Sequence, residues 1–152
     1  MRRSRLRRFT VMPLFALAFA FAFSGGVATA GQGVSAYGYY TVNGVDYKNW
    51  AAVNTNPGYN HQAYAVTLVS PTNKSVAGGW AGAAPRIYKN GALVCSEGYT
   101  YNSGTLARNG VLNPSGCFYN SVAVWYTQGV TRAWNGSGYN SFWTFNSPSQ
   151  NS

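Results

Sequence analysis

The sequence predicts an all-β fold: a small antiparallel β-sandwich or barrel of about eight short strands with one disulfide. Three observations predict it. Apolar residues recur with a period close to two, and no amphipathic stretch of helical length occurs. Turn signals punctuate the chain at intervals of roughly 8–12 residues, the spacing of sandwiches and small barrels. The 12 Tyr and 5 Trp sit largely in the runs between those turns, where flat rings cover a pleated surface and keep a polar edge in water.

The elements follow in order. Residues 31–36 are small and polar and read as a flexible N-terminal arm. Residues 36–42 and 45–53 flank Asn43-Gly44, a pair that tolerates positive φ at both turn positions and so marks a hairpin. Asn56-Pro57-Gly58 turns the chain into 61–70, which alternates Tyr64, Val66 and Leu68 with Ala63, Ala65, Thr67 and Val69. After a turn at 71–74, residues 77–84 are too glycine-rich for a regular central strand and suggest a bulge or close backbone approach near Trp80. Residues 86–89 and 92–95 flank Asn90-Gly91 as a second hairpin, and 103–116 read as a long loop. Residues 118–127 and 130–134 flank Gln128-Gly129 as a third hairpin. A turn at 135–138 leads into 141–145. The expected organisation is a secretory leader at 1–30, the arm at 31–36, a sandwich domain at 37–146 and a disordered tail at 147–152.

The leader rests on a cationic start, an apolar run from Val11 to Phe23, and the small residues Ala28-Thr29-Ala30 that a signal peptidase reads. Five of the eleven basic residues lie in the first eight positions, so the formal charge of +9 falls mostly on the leader. The remainder carries six scattered cations against Asp46 and Glu97. That is too sparse for a nucleic-acid stripe, and no stretch beyond the leader has the apolar length of a membrane span. Export makes a Cys95–Cys117 disulfide the default. A metal site fails on ligand count, since His61 is the only histidine.

Reactive groups are few. A hydrolytic triad needs a nucleophile, a base and an orienting group, and His61 comes with no nucleophile elbow. Asp46 and Glu97 are the only carboxylate pair a glycosidase could use, and they belong to different hairpins. No enzyme and no cofactor is expected. The aromatic residues carry the functional expectation: a recognition surface of large flat rings near Asn and Gly, with Trp80, Tyr139, Phe142, Trp143 and Phe145 as its candidates.

One stretch carries a resemblance. His61-Gln-Ala-Tyr-Ala-Val66, a polar turn at 71–75, Gly79-Trp80-Ala81 and the aromatic segment Ser141-Phe142-Trp143-Thr144-Phe145 together resemble the lactococcin 972-like bacteriocins. These are small secreted β-sandwich proteins of Gram-positive bacteria that interfere with cell-wall assembly. The likeness covers about 25 residues in gapped pieces, and the two cysteines fall outside the family pattern. It implies an antibacterial or envelope role. The expectation is thus a secreted, non-enzymatic binding protein whose partner is an extracellular protein or a cell-wall component. The first expectation is a bacteriocin-like module or a subunit of an extracellular antibacterial assembly, with strand addition through the arm at 31–36; the alternatives are glycan binding through the aromatics and hydrolase inhibition through the hairpin at 84–92.

Overall fold

The computed structural model describes residues 30–152, so the expected leader lies outside the described residues except for Ala30. Among the described residues thirteen strands form two packed layers: β1 Gly31–Val34, β2 Gly38–Val42, β3 Val45–Asn56, β4 Gln62–Pro71, β5 Ala81–Ala84, β6 Arg86–Lys89, β7 Ala92–Ser96, β8 Thr100–Tyr101, β9 Ser115–Asn120, β10 Val124–Thr127, β11 Val130–Trp134, β12 Tyr139–Trp143 and β13 Gln150–Asn151. All pairings are antiparallel. The sandwich class is as the period-two pattern requires. The strand number exceeds eight because β1, β5, β8 and β13 fall in segments with no strand pattern of their own, and because the expected strand at 118–127 is divided between β9 and β10.

The first layer is ordered β1–β3–β4–β9, with β2 also on β3. Strand β3 is long enough to hold both β1 and β2 end to end along one edge, Val34 facing Ala52 and Gly38 facing Asn49. Between them the chain steps at Ser35, whose N–H donates to Ala51 O and whose Oγ accepts from Ala51 N–H, both at 2.9 Å. The expected flexible arm is therefore a correction. Side chains gave it no anchor, yet its backbone donors and acceptors complete an edge that β3 would otherwise leave open.

The second layer comprises two four-stranded sheets, β13–β10–β6–β7 and β12–β11–β5–β8. They are two halves of one interrupted sheet. Only Pro85 separates β5 from β6, and only Gln128-Gly129 separates β10 from β11. The register continues in step across the break: Thr127 faces Ile87 and, three residues on, Val130 faces Ala84. Pro85 has no N–H to give a ladder. Gly129 turns its N–H to Thr144 Oγ1 (2.9 Å) and its C=O to Thr144 N–H (3.0 Å). Gln128-Gly129 is thus a step within a strand rather than the expected hairpin turn. A two-residue sequence signal cannot distinguish a turn from a step when both ask for a small residue. Likewise Ala81–Ala84 is a fully buried central strand despite its small residues. A Cβ at Gly82 would lie 2.7 Å from the Tyr101 ring, so the close approach was read correctly and its consequence for the strand was not.

Alternation across the break places Ala81, Ala83, Ile87, Trp125, Thr127, Thr131 and Ala133 inward, all fully buried. Two apolar clusters result. One gathers Val42, Val45, Tyr47, Val69 and Val76; the other gathers Val53, Ala63, Ala65, Ile87 and Trp125. Between them lies a buried polar belt of Asn49, Thr67, Thr127 and Thr131. Here the layers pinch together, since a Cβ on Gly129 would collide with the side chain of Thr67.

The disulfide joins Cys95 of β7 to Cys117 of β9, with Cα atoms 5.7 Å apart, and so ties an edge of one layer to an edge of the other. Cys117 takes a left-handed φ of 55° where the β4–β9 register slips between Ala63 and Ala65. Such a bulge re-aims the side chain, here into the core. The tail at 147–152 is a second correction. Ser147 Oγ accepts from Thr127 N–H (2.9 Å), Ser152 Oγ accepts from Trp125 Nε1–H (2.7 Å), and β13 pairs with β10. Its polar residues satisfy buried donors, a role that composition does not reveal.

Candidate binding surface

Two Asn-Gly hairpins set the strand ends as expected: Asn43 and Gly44 have φ of 51° and 68°, Asn90 and Gly91 of 49° and 87°. The first fixes β2 against β3. The Asn135–Gly138 turn fixes β12 against β11, its Asn135 Oδ1 accepting from the N–H groups of Ser137 (3.0 Å) and Gly138 (2.8 Å). Edge strands β2 and β12 thereby meet along one side of the sandwich. Tyr40 is held there between Tyr47 (5.4 Å between ring centroids) and Phe142 (3.8 Å, 8° between planes). Its hydroxyl shares a 3.0 Å hydrogen bond with Thr131 Oγ1. Burial pushes the Tyr40 phenol above its ordinary range and that of Tyr47 up to about 12.

A groove of about 470 Å³ opens above this stack, lined by Tyr37, Tyr39, Tyr40, Phe142, Trp143 and Phe145. Tyr39 is 72% exposed, Phe145 58% and Trp143 54%. Lys48 Nζ stands 5.0 Å from the Tyr37 ring centroid and 5.5 Å from that of Trp50. Trp143 is also a wall of a second hollow, about 300 Å³, on the outer face of the second layer. Buried Ala84 and Val130, directly opposite one another, give that hollow its small-residue base. Arg86, Glu97, Tyr99 and Trp143 stand around it.

The hollow has a local two-fold symmetry. Arg86 and Arg132 each lie two residues beyond the Ala84–Val130 pair, in opposite directions along antiparallel strands. Each faces a serine on its outer neighbour, Ser96 on β7 and Ser141 on β12. Each donates Nε–H to that hydroxyl, at 3.0 and 3.1 Å. Each guanidinium also lies over a ring, Arg86 at 4.9 Å from Trp143 and Arg132 at 3.8 Å from Tyr99. Arg132 Nη1 donates to Tyr101 Oη at 3.3 Å, and that bond raises the Arg132 pKa further.

The expected binding residues divide. Trp143 and Phe145 are exposed groove residues, and Tyr139 is 39% exposed, its hydroxyl donating to Gly79 O at 2.8 Å. Phe142 is mostly a floor under that groove. Trp80 is partly buried and packs against the first apolar cluster, apart from the groove. Tyr37, Tyr39 and Tyr99 were missed, and Arg86 and Arg132 were read only as part of a scattered basic bias. For the arginines a signal existed: Ala84-Pro-Arg-Ile-Tyr88 and Val130-Thr-Arg-Ala-Trp134 share an apolar residue, an arginine two on and an aromatic four on.

The reactive groups stay apart. Asp46, on β3 in the first layer, accepts from Thr41 Oγ1–H at 2.7 Å across the Asn43-Gly44 hairpin. Glu97 follows β7 in the second layer, and its Oε1 accepts from Cys117 N–H at 3.0 Å. His61 sits in an exposed turn with φ of 51°. None of the three grooves described in this structure combines two of them. Cys95, Cys117 and Glu97 cluster as metal ligands would, but the disulfide consumes both thiolates and leaves one carboxylate. Among the described residues no helix is long and apolar enough to cross a membrane. No family model, curated protein or solved structure matches the chain.

Proposed function

We propose that this is a secreted, non-enzymatic binding protein that takes a sugar chain of the bacterial cell wall on the aromatic band around Trp143. The observation that carries the reading is Trp143 itself: an exposed indole that is a shared wall of two grooves. Rings held by strands offer flat apolar area at little cost in side-chain freedom, the requirement for stacking on sugar faces. The closed disulfide fits an extracellular location, and the resemblance to lactococcin 972-like bacteriocins favours an envelope target.

The rival routes have less support. Strand addition by residues 31–36 as a free arm loses support, because β1 already pairs with β3. The hairpin at 84–92 buries Ala84, Pro85 and Ile87 in the sandwich, which leaves mainly its Asn90-Gly91 tip to enter an enzyme cleft.

The test is co-sedimentation with purified peptidoglycan sacculi. Wild type is retained, and Trp143→Ala lowers retention at least tenfold with an unchanged melting temperature. Trp80→Ala instead lowers the melting temperature. Equal retention of wild type and Trp143→Ala, or no retention of wild type, overturns the proposal.

A further inference from the structure

We infer that the sugar chain is an acidic one, its carboxylates taken by the two arginine–serine–aromatic clamps at either end of the Ala84–Val130 hollow. The inference rests on the glycan reading and specifies the class of glycan. Each clamp spends Nε–H on a serine, Ser96 or Ser141, and lies against a ring, Trp143 or Tyr99. That fixes the guanidinium plane and leaves the terminal N–H groups of Arg86, and those of Arg132 that Tyr101 Oη does not take, to meet a planar carboxylate. The side-chain carboxylates of the protein accept from other partners, Asp46 from Thr41 and Glu97 from Cys117 N–H. Glu97 nevertheless borders the hollow and sets a negative charge on one side of it. A ligand is therefore favoured that reaches both arginines along the strands, rather than one free anion at the centre.

The spacing carries the second half of the argument. Two residues of strand on either side of the Ala84–Val130 pair put the Cα atoms of the arginines about 13 Å apart along the strand direction, and each guanidinium is held over a different ring, Trp143 or Tyr99. Two separate guanidinium sites match an oligosaccharide with recurring acid groups better than a single sugar acid. Trp143 joins the two surfaces, since it lies under Arg86 and also borders the aromatic groove. A chain stacked in the groove can thus present an acid group to Arg86 as it passes.

The test compares polygalacturonate with the same polymer as its fully methyl-esterified form, which keeps the sugar backbone and removes the charge. Poly(glycerol phosphate) is the third arm and supplies anions without sugar rings. Wild type should bind polygalacturonate at least tenfold more tightly than the ester or the phosphate polymer, and galacturonate monomer should not compete. Arg86→Gln and Arg132→Gln should each weaken polygalacturonate binding about tenfold, as the loss of a charged hydrogen bond does. Arg→Lys at either site should restore only part of it, and circular dichroism of each variant should match wild type. Equal binding of polygalacturonate and its ester, sensitive to Trp143→Ala but not to the arginine variants, overturns the acidic assignment and leaves the glycan reading standing. Tighter binding of the phosphate polymer overturns the assignment as well. No binding of either sugar polymer or of sacculi overturns both.

Discussion

Gly129→Ala should destabilise the protein by about 2 kcal/mol, because the layers touch at that point. The added Cβ would meet Thr67 Oγ1 and Cγ2 in overlap and Thr67 Cβ at 2.7 Å. Rotating the threonine clears the first two contacts and leaves the third, so backbone must move. Opposing this, alanine restricts the unfolded chain and returns about 0.4–1 kcal/mol. Gly129 has no left-handed φ, so steric overlap is the only penalty and it exceeds the gain. The expected change is a fall of roughly 8 °C in melting temperature, from about 4 °C per kcal/mol for a domain of this size. Urea denaturation of Gly129→Ala with Thr67→Ala and with Thr67→Gly measures the coupling. Thr67→Ala leaves the Cβ and should rescue in part; Thr67→Gly removes it and should show a coupling of at least 1 kcal/mol. Additive double mutants, or a Gly129→Ala protein as stable as wild type, would refute the pinch between layers.

Reducing Cys95–Cys117, separated by 22 residues, should cost about 3 kcal/mol by the chain-entropy account, seen as a lower urea midpoint under reducing conditions. Deleting residues 147–152 removes the acceptors of Thr127 N–H and Trp125 Nε1–H; a loss of about 2 kcal/mol or more is expected from two buried donors left unpaired. Raising the pH should destabilise the fold from about pH 10 upward. Tyr47 ionises near pH 10 when unfolded but only at about 12 when folded, so the unfolded state sheds its proton first. Stability is full below 10 and declines between 10 and 12. Melts across that range check it, and Tyr47→Phe should flatten the decline.

The architecture was legible where side chains determine it. Period-two runs such as Ala63, Ala65, Thr67 and Val69 name the buried face of β4 directly, and two cysteines leave one pairing. Segments stabilised through their backbones were not legible. Gly31–Val34 and Gln150–Asn151 show no apolar face, yet they complete edges of β3 and β10. Gln128-Gly129 misled for the complementary reason: a glycine demanded by a neighbouring side chain, Thr67, resembles one demanded by a turn. The aromatic contact surface was half visible. Trp143 and Phe145 follow from the sequence near their turn, whereas Tyr37, Tyr99 and the paired arginines come together only through register across strands far apart in the chain.

The close contact of β1 with the final residues has a practical consequence. Gly31 abuts the Gln150 side chain and Gly33 the backbone of Pro148, so entry and exit of the domain are neighbours. A short linker could join them and new ends be opened at Asn90-Gly91. Such a circularised permutant would present Trp143 and both guanidinium groups on a scaffold with no loose end beside β3, ready for immobilisation through its opposite hairpin.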